Sequence, residues 1–352
     1  MPTLTILATA PTTGLSDAFG LNDGGQVVGQ EDTVFPFVWT PGSPNGTVGT
    51  SLRLPLLPTG GPAEGTATAI NANGDVVGFA DALDPSGTVV SRAVFWPAGG
   101  ASVTQLGTLI PSFAPPGLFL GNSSALAIND RGIIVGVSDS PTGVEHAFVF
   151  DPAVGVMRDL GSLVPLTMLP GTPDPSRALG INNQGDIVGE AIAVDGGGNL
   201  VTRAFLLPVG ALQMQDLGTL VPDPANPGKF LGDSAAFAIN DAGTIVGDSD
   251  GGLPPLTDKA PAFFQAGNSP TGILPSIGGA RGVNQNDVAV GFIGLPPVNA
   301  FRFDNTTGAA DLTALVATPG TVILRAIGIN TSGQIAAIAN NGAGTIAVLI
   351  SP

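Results

Sequence analysis

One short pattern recurs seven times along the chain and limits its fold more than any other feature. An Asn follows an alternating apolar run, two mostly polar residues come next, then Gly in six of the seven copies, then β-branched residues. The clearest copy reads Ala127-Ile128-Asn129-Asp130-Arg131-Gly132-Ile133-Ile134-Val135-Gly136. The seven Asn are Asn22, Asn71, Asn129, Asn182, Asn240, Asn284 and Asn330, at steps of 49, 58, 53, 58, 44 and 46 residues. A period of about 51 residues marks a repeat architecture in which each copy is one supersecondary unit.

Within a copy, Asn at the first place and Gly at the fourth suit a type I turn, with the Gly taking the left-handed bulge position that closes a hairpin. In the sixth copy Asp287 stands where Gly is expected, and Asp is among the few side chains that tolerate positive φ. A second Gly lies seven places past the Asn in six copies, from Gly29 to Gly291, with Ala337 in the seventh. So small a residue there predicts that another backbone or a large ring packs closely. A third strand signal follows, as in Ala93-Val94-Phe95-Trp96 and Ala147-Phe148-Val149-Phe150, and a fourth as in Met157-Arg158-Asp159-Leu160-Gly161-Ser162-Leu163, Ile273-Leu274 and Asp311-Leu312-Thr313-Ala314-Leu315.

Four strands in each period match a β-propeller blade. The predicted fold is all-β: one domain over residues 1–352, a seven-bladed β-propeller of four-stranded antiparallel blades. The last copy reaches only its third strand at 346–350, and Leu4-Thr5-Ile6-Leu7 precedes the first hairpin. The N-terminal strand is therefore expected to complete the seventh blade and remove an exposed edge. An open β-solenoid is the competing architecture.

Composition narrows the function classes. A net charge of −16 with 11 Lys and Arg disfavours nucleic acid and anionic membrane, which need basic patches. No apolar run has the length of a spanning helix. With no Cys, thiolate chemistry and thiolate zinc sites are excluded, and with one His no multi-His metal site can form. No metal and no cofactor is expected. Asp248-Ser249-Asp250-Gly251 offers oxygens to calcium but falls short of an EF-hand loop. The first residues lack a basic region and a long apolar region, so no signal peptide is expected in this sequence.

The hairpin pattern together with His146-Ala147-Phe148 resembles the HAF repeat of extracellular bacterial repeat proteins, over essentially the whole chain. Elsewhere the His place holds Arg92, Arg203, Pro261 or Asn299. The blade also looks like a kelch blade in strand order, without the kelch Gly-Gly doublet. The resemblance implies secretion or surface display and carries no activity with it.

In a meander blade the long connections here, such as 110–122, 164–176, 221–233, 139–145, 193–201 and 250–261, fall on one end of the ring, where binding is usually placed. Charged residues in or beside them are Arg92, Glu145, His146, Arg177, Arg203, Asp233, Asp248, Lys259, Arg281 and Arg325. The candidate binding set is Arg92, Glu145, His146, Arg177, Arg203, Asp233 and Arg325. Arg177 and Arg325 each stand five places before a repeat Asn, at the start of the innermost strand, so both are expected near the channel mouth. There, Arg suits a carboxylate or an anionic sugar; solvated rim charges are the alternative. The expected partners are a glycan, a small carboxylate or another protein, bound by a monomeric surface module. Two further readings compete: a lyase or glycoside hydrolase using carboxylates such as Glu145 or Asp233, and a structural surface or matrix protein.

Overall fold

The computed structural model describes residues 2–7, 15–110, 119–164, 174–251, 258–294 and 298–352. They form seven four-stranded antiparallel sheets, each a meander of strands consecutive in sequence except the last. The innermost strands are Ser16–Leu21, Gly65–Ile70, Ser123–Ile128, Ser176–Ile181, Ser234–Ile239, Gly278–Val283 and Val322–Ile329. Each packs against the next, and Val322–Ile329 packs against Ser16–Leu21, so the sheets form a closed ring. Thr3–Ile6 pairs with Thr345–Ser351 in the register Thr3↔Ser351 to Ile6↔Val348 and is the outer strand of the seventh blade. Leu7, next along, is buried and its N–H donates to the Ala347 carbonyl at 3.1 Å.

Turn chemistry follows the sequence. Gly25, Gly74, Gly132, Gly185, Gly243 and Gly333 all have positive φ, and Asp287 takes 59° in their place. The seven Asn do a second task that turn chemistry does not require. The Asn22 Nδ2 donates to the Asn71 carbonyl, Asn71 to Asn129, Asn129 to Asn182, Asn182 to Asn240, Asn240 to Asn284, Asn284 to Asn330, and Asn330 back to Asn22, at 2.9 to 3.3 Å. Each Oδ1 also accepts the backbone N–H four residues on, as from Ile133 to Asn129 at 3.0 Å. A buried amide that satisfies its own hairpin and the next one stitches the blades into a cycle.

A matching stitch lies toward the opposite face. Ser123, Ser176 and Ser234, at the starts of inner strands, accept from the N–H of Ala93, Ala147 and Ala204 of the preceding blade and donate to the carbonyls of Gly107, Gly161 and Gly218. Ser16 closes this series by accepting from Ala347 at 2.9 Å. The hydrophobic core lies between blades: Val135 and Ala147 of the third pack with Ala178, Ile187 and Phe205 of the fourth. Each large side chain so buried contributes about 1.5–3 kcal/mol before entropy.

The outer strands are shorter than the sequence suggests. The fourth strand of the third blade is Met157–Asp159, and that of the fifth is Thr271–Gly272, just before the expected Ile273-Leu274. In the sixth blade Gly308–Asp311 is the strand, and Leu312–Val316 is a short helix where a strand was expected. The Asp311 carboxylate there accepts from the N–H groups of Thr313 and Ala314, an N-cap that turns the chain out of the sheet.

Candidate functional site

Every inner strand carries the same irregularity three places before its Asn. Register with the second strand shifts between Ala18 and Gly20, Ala67 and Ala69, Ala125 and Ala127, Ala178 and Gly180, Ala236 and Ala238, Ala280 and Gly282, and Ala326 and Gly328. The residue skipped each time is Phe19, Thr68, Leu126, Leu179, Phe237, Arg281 or Ile327, and all seven line the axial channel. A bulge re-aims one side chain and adds local twist; repeated seven times, it turns a sheet residue into a channel residue.

Two kinds of small residue make the bulge possible. The second Gly of the repeat faces it: a Cβ on Gly78 would lie 1.9 Å from the Thr66 carbonyl oxygen, and one on Gly136 would lie 2.0 Å from that of Ser124 and 2.9 Å from the Phe148 ring. In the seventh blade, where Ala337 holds this place fully buried, the inner strand has a further shift between Ile323 and Arg325. The residue after the bulge, Gly or Ala, sits where inner strands crowd the axis: a Cβ on Gly282 would meet the Gly328 Cα at 2.9 Å.

The channel holds about 400 Å³. At the turn end it narrows to the aliphatic residues one place before each Asn, and then to the rim of the Asn ring. Five of its bulge residues are apolar; Thr68 spends its hydroxyl on the carbonyls of Val77 and Ala125, at 3.1 and 2.8 Å. Arg281 is the charged one.

Arg281 is held by an aromatic and electrostatic frame. Its guanidinium lies 3.5 Å from the Phe237 ring centroid and 5.3 Å from that of Phe292, which also carries the Arg325 guanidinium at 5.1 Å. The Asp248 carboxylate approaches it at 3.5 Å and is itself shared with Lys259 at 3.4 Å. Gly279 leaves the room for this contact, since a Cβ there would stand 3.1 Å from an Asp248 oxygen and 3.4 Å from the guanidinium. Burial pulls the Arg281 pKa below the usual arginine value, with Asp248 opposing and the Arg325 charge adding to the fall. Burial likewise pushes the Asp248 carboxyl up, against the pull of Lys259 and Arg281. Arginine stays charged under either influence, so the channel entrance carries two guanidinium groups on one aromatic ring.

The expected site residues divide between this entrance and the loops. Arg325 is at the entrance. Arg177 is on the equivalent place of the fourth blade, half exposed and 4.0 Å from Glu190, whose charge reaches Arg281. Glu145 and Arg177 border a shallow hollow of about 190 Å³. The others are props of the inter-blade connections, buried in the case of Arg92, Arg203 and His146 and half-buried in that of Asp233. Arg92, fully buried, donates to the carbonyls of Phe119 and Gly121, and Arg203 donates to that of Phe230 at 2.6 Å. His146 fills the same place in the third blade, its Nδ1 2.8 Å from Asp159 and its Nε2 3.3 Å from Asp174. Hydrogen bonding to Asp159, and then to Asp174, raises its pKa despite burial. Asp233 accepts the Thr202 N–H at 2.7 Å, and its own N–H donates to Asp250.

In 248–251 the Asp248 carboxylate serves Lys259 and Arg281 while Asp250 holds the Asp233 N–H. Parts of three connections expected to carry function, 111–118, 165–173 and 252–257, lie outside the described residues. Arg281 was legible only as one charge among many near the loops. Its signal is positional: it stands three places before Asn284, where the other copies have Phe, Thr, Leu, Leu, Phe and Ile.

The fold and the site together define a seven-bladed β-propeller with an axial channel lined mainly by apolar side chains and, at one mouth, charged groups of both signs: Arg281 and Arg325 beside Asp248, Glu190 and Asp17. No protein-family model matches the chain, and no curated protein matches it in sequence. Among solved structures it is similar to the β-propeller domain of the Trilobed protease from Pyrococcus furiosus, at 10% identity over 96% of this chain and 95% of that one, with a TM-score of 0.56. That domain is described as having an open velcro topology, whereas the N-terminal strand here joins the C-terminal sheet. TolB from Acinetobacter baumannii matches at 11% identity over 96% of this chain and 79% of that one, with a TM-score of 0.44. An oligogalacturonate lyase from Vibrio parahaemolyticus matches at 9% identity over 90% and 97%, with a TM-score of 0.38. At 10% identity the likeness to the Trilobed protease domain extends to the fold alone.

Proposed function

We propose that this chain is a non-catalytic binding or scaffold propeller of the HAF-repeat kind, displayed outside the cell as a monomer, with its ligand or partner held around the channel on the long-loop face. The observation that carries the reading is the bulge ring. Seven strands aim seven side chains at one axis, and the single charged one, Arg281, meets Arg325 at the mouth. In a chain of net charge −16, two cations so placed favour an anionic ligand group. The two carboxylates considered for hydrolysis or elimination do not line the channel: Asp233 is engaged with the Thr202 N–H, and Glu145 borders a shallow hollow with Arg177.

A thermal-shift screen of small carboxylates and calcium, run beside a glycan array, tests this. We expect carboxylate-bearing ligands to stabilise the protein and the double variant Arg281→Gln/Arg325→Gln to lose that response. A response that the double variant keeps in full, or turnover of any bound ligand, would overturn the reading. Fractionation of the producing cell checks the location, with signal confined to the cytoplasm counting against display.

A further inference from the structure

We infer that the ligand of the channel is a carboxylate with an apolar tail, the carboxylate held at the mouth by Arg281 and Arg325 and the tail lying down the shaft. The inference rests on the binding role proposed above and adds the class of ligand. Three observations carry it.

The first is polarity along the axis. Beside Arg281 the bulge ring presents Phe19, Leu126, Leu179, Phe237 and Ile327, and toward the turns comes a complete ring of Leu, Ile and Val. Apart from Arg281, the side chains there offer a sugar no free polar partner for its hydroxyl groups, and burying them unpaired is costly. Thr68, the remaining polar residue of the ring, has its hydroxyl engaged with two backbone carbonyls. An alkyl or aryl group replaces poorly held water at no such cost.

The second is shape. The shaft is narrowed at its far end by the Asn ring, where each amide already has its partners, so the polar group of a ligand finds its place at the wide end. About 400 Å³ lies in the range of small-molecule sites. The third is preorganisation. The Arg281 guanidinium is stacked on Phe237, and Asp248, the carboxylate nearest to it, is divided with Lys259. Its partial neutralisation leaves room for a second anion, and Arg325 lies against the same Phe292 ring, 5.1 Å from its centroid, with its charge also acting on Asp17.

Isothermal titration of the full chain with acetate, butyrate, hexanoate, octanoate, 4-phenylbutyrate, galacturonate and 1-octanol tests the inference. We expect affinity to rise roughly fourfold per methylene along the alkanoates until the shaft is filled. We expect R281Q to weaken octanoate at least tenfold while leaving 1-octanol unchanged, and R281K to restore part of the loss. L126N should flatten the chain-length series without changing acetate. Equal binding of acetate and octanoate, with galacturonate tighter and still dependent on Arg281, would overturn the apolar tail and leave the channel-mouth reading standing. Octanoate binding that ignores both R281Q and L126N would overturn the inference and that reading together. Unfolding midpoints for each variant within a few degrees of the parent establish that the fold is intact.

Discussion

Replacing Asn129 with Asp separates the two tasks that the repeat Asn performs. Its Oδ1 accepts from the N–H of Arg131 at 3.1 Å and of Ile133 at 3.0 Å, which is turn chemistry that Asp reproduces. Its Nδ2 donates to the Asn182 carbonyl of the next blade at 3.0 Å, which Asp does not reproduce. Asn129 is only 3% exposed, so a carboxylate oxygen placed against that carbonyl is desolvated and repelled. The Asn182 carbonyl keeps one partner, the Gly185 N–H at 3.1 Å, which limits the loss on that side. One lost bond plus a buried, unpaired charged oxygen gives about 2–4 kcal/mol of destabilisation for Asn129→Asp. Asn129→Ala loses all three bonds at about 0.5–1.5 kcal/mol each, a similar total without the charge. The assay is the urea midpoint and slope of both variants at neutral pH. If Asn129→Asp stays within about 0.5 kcal/mol of the parent, the Asn ring is incidental and the residue is there for its turn alone.

Other outcomes follow from the same structure. Because His146 gains Asp159 and Asp174 on folding, its folded pKa lies above the unfolded value of about 6.5. The stabilisation is fully present below that value and is lost as pH rises through the folded pKa; urea midpoints should fall over that window in the parent and flatten in His146→Gln. Gly78→Ala places a Cβ 1.9 Å from the Thr66 carbonyl oxygen, so denaturation should show a loss of about 3 kcal/mol or more, whereas Ala337→Gly should cost far less. Removing residues 2–7 takes away the Thr3–Ile6 pairing and uncovers an edge, so size-exclusion chromatography should show self-association that a peptide of the same residues reverses.

Much of this architecture is written in local pattern. The turn at Asn129–Gly132 and the left-handed places follow from steric rules that act within a few residues, and the closure by Leu4-Thr5-Ile6-Leu7 follows from a strand count that leaves the last copy one short. The helix Leu312–Val316 escaped because Asp311 competes locally with strand pairing, and a single cap decides between them. Arg92, His146 and Arg203 shared a place in the repeat, yet their burial beneath inter-blade connections depends on segments 13 to 29 residues away.

The amino-acid order alone thus determined the number of repeats and the strand order within each, since periodicity and turn chemistry are properties of neighbours along the chain, while the choice of a shut ring over an open solenoid rests on the pairing of Thr3–Ile6 with Thr345–Ser351. Which side chains reach the axis was decided only in three dimensions. A bulge in each inner strand breaks the two-residue alternation by one place, and the curvature of the ring then brings Arg281, Phe292 and Arg325, from separate strands, around a common opening.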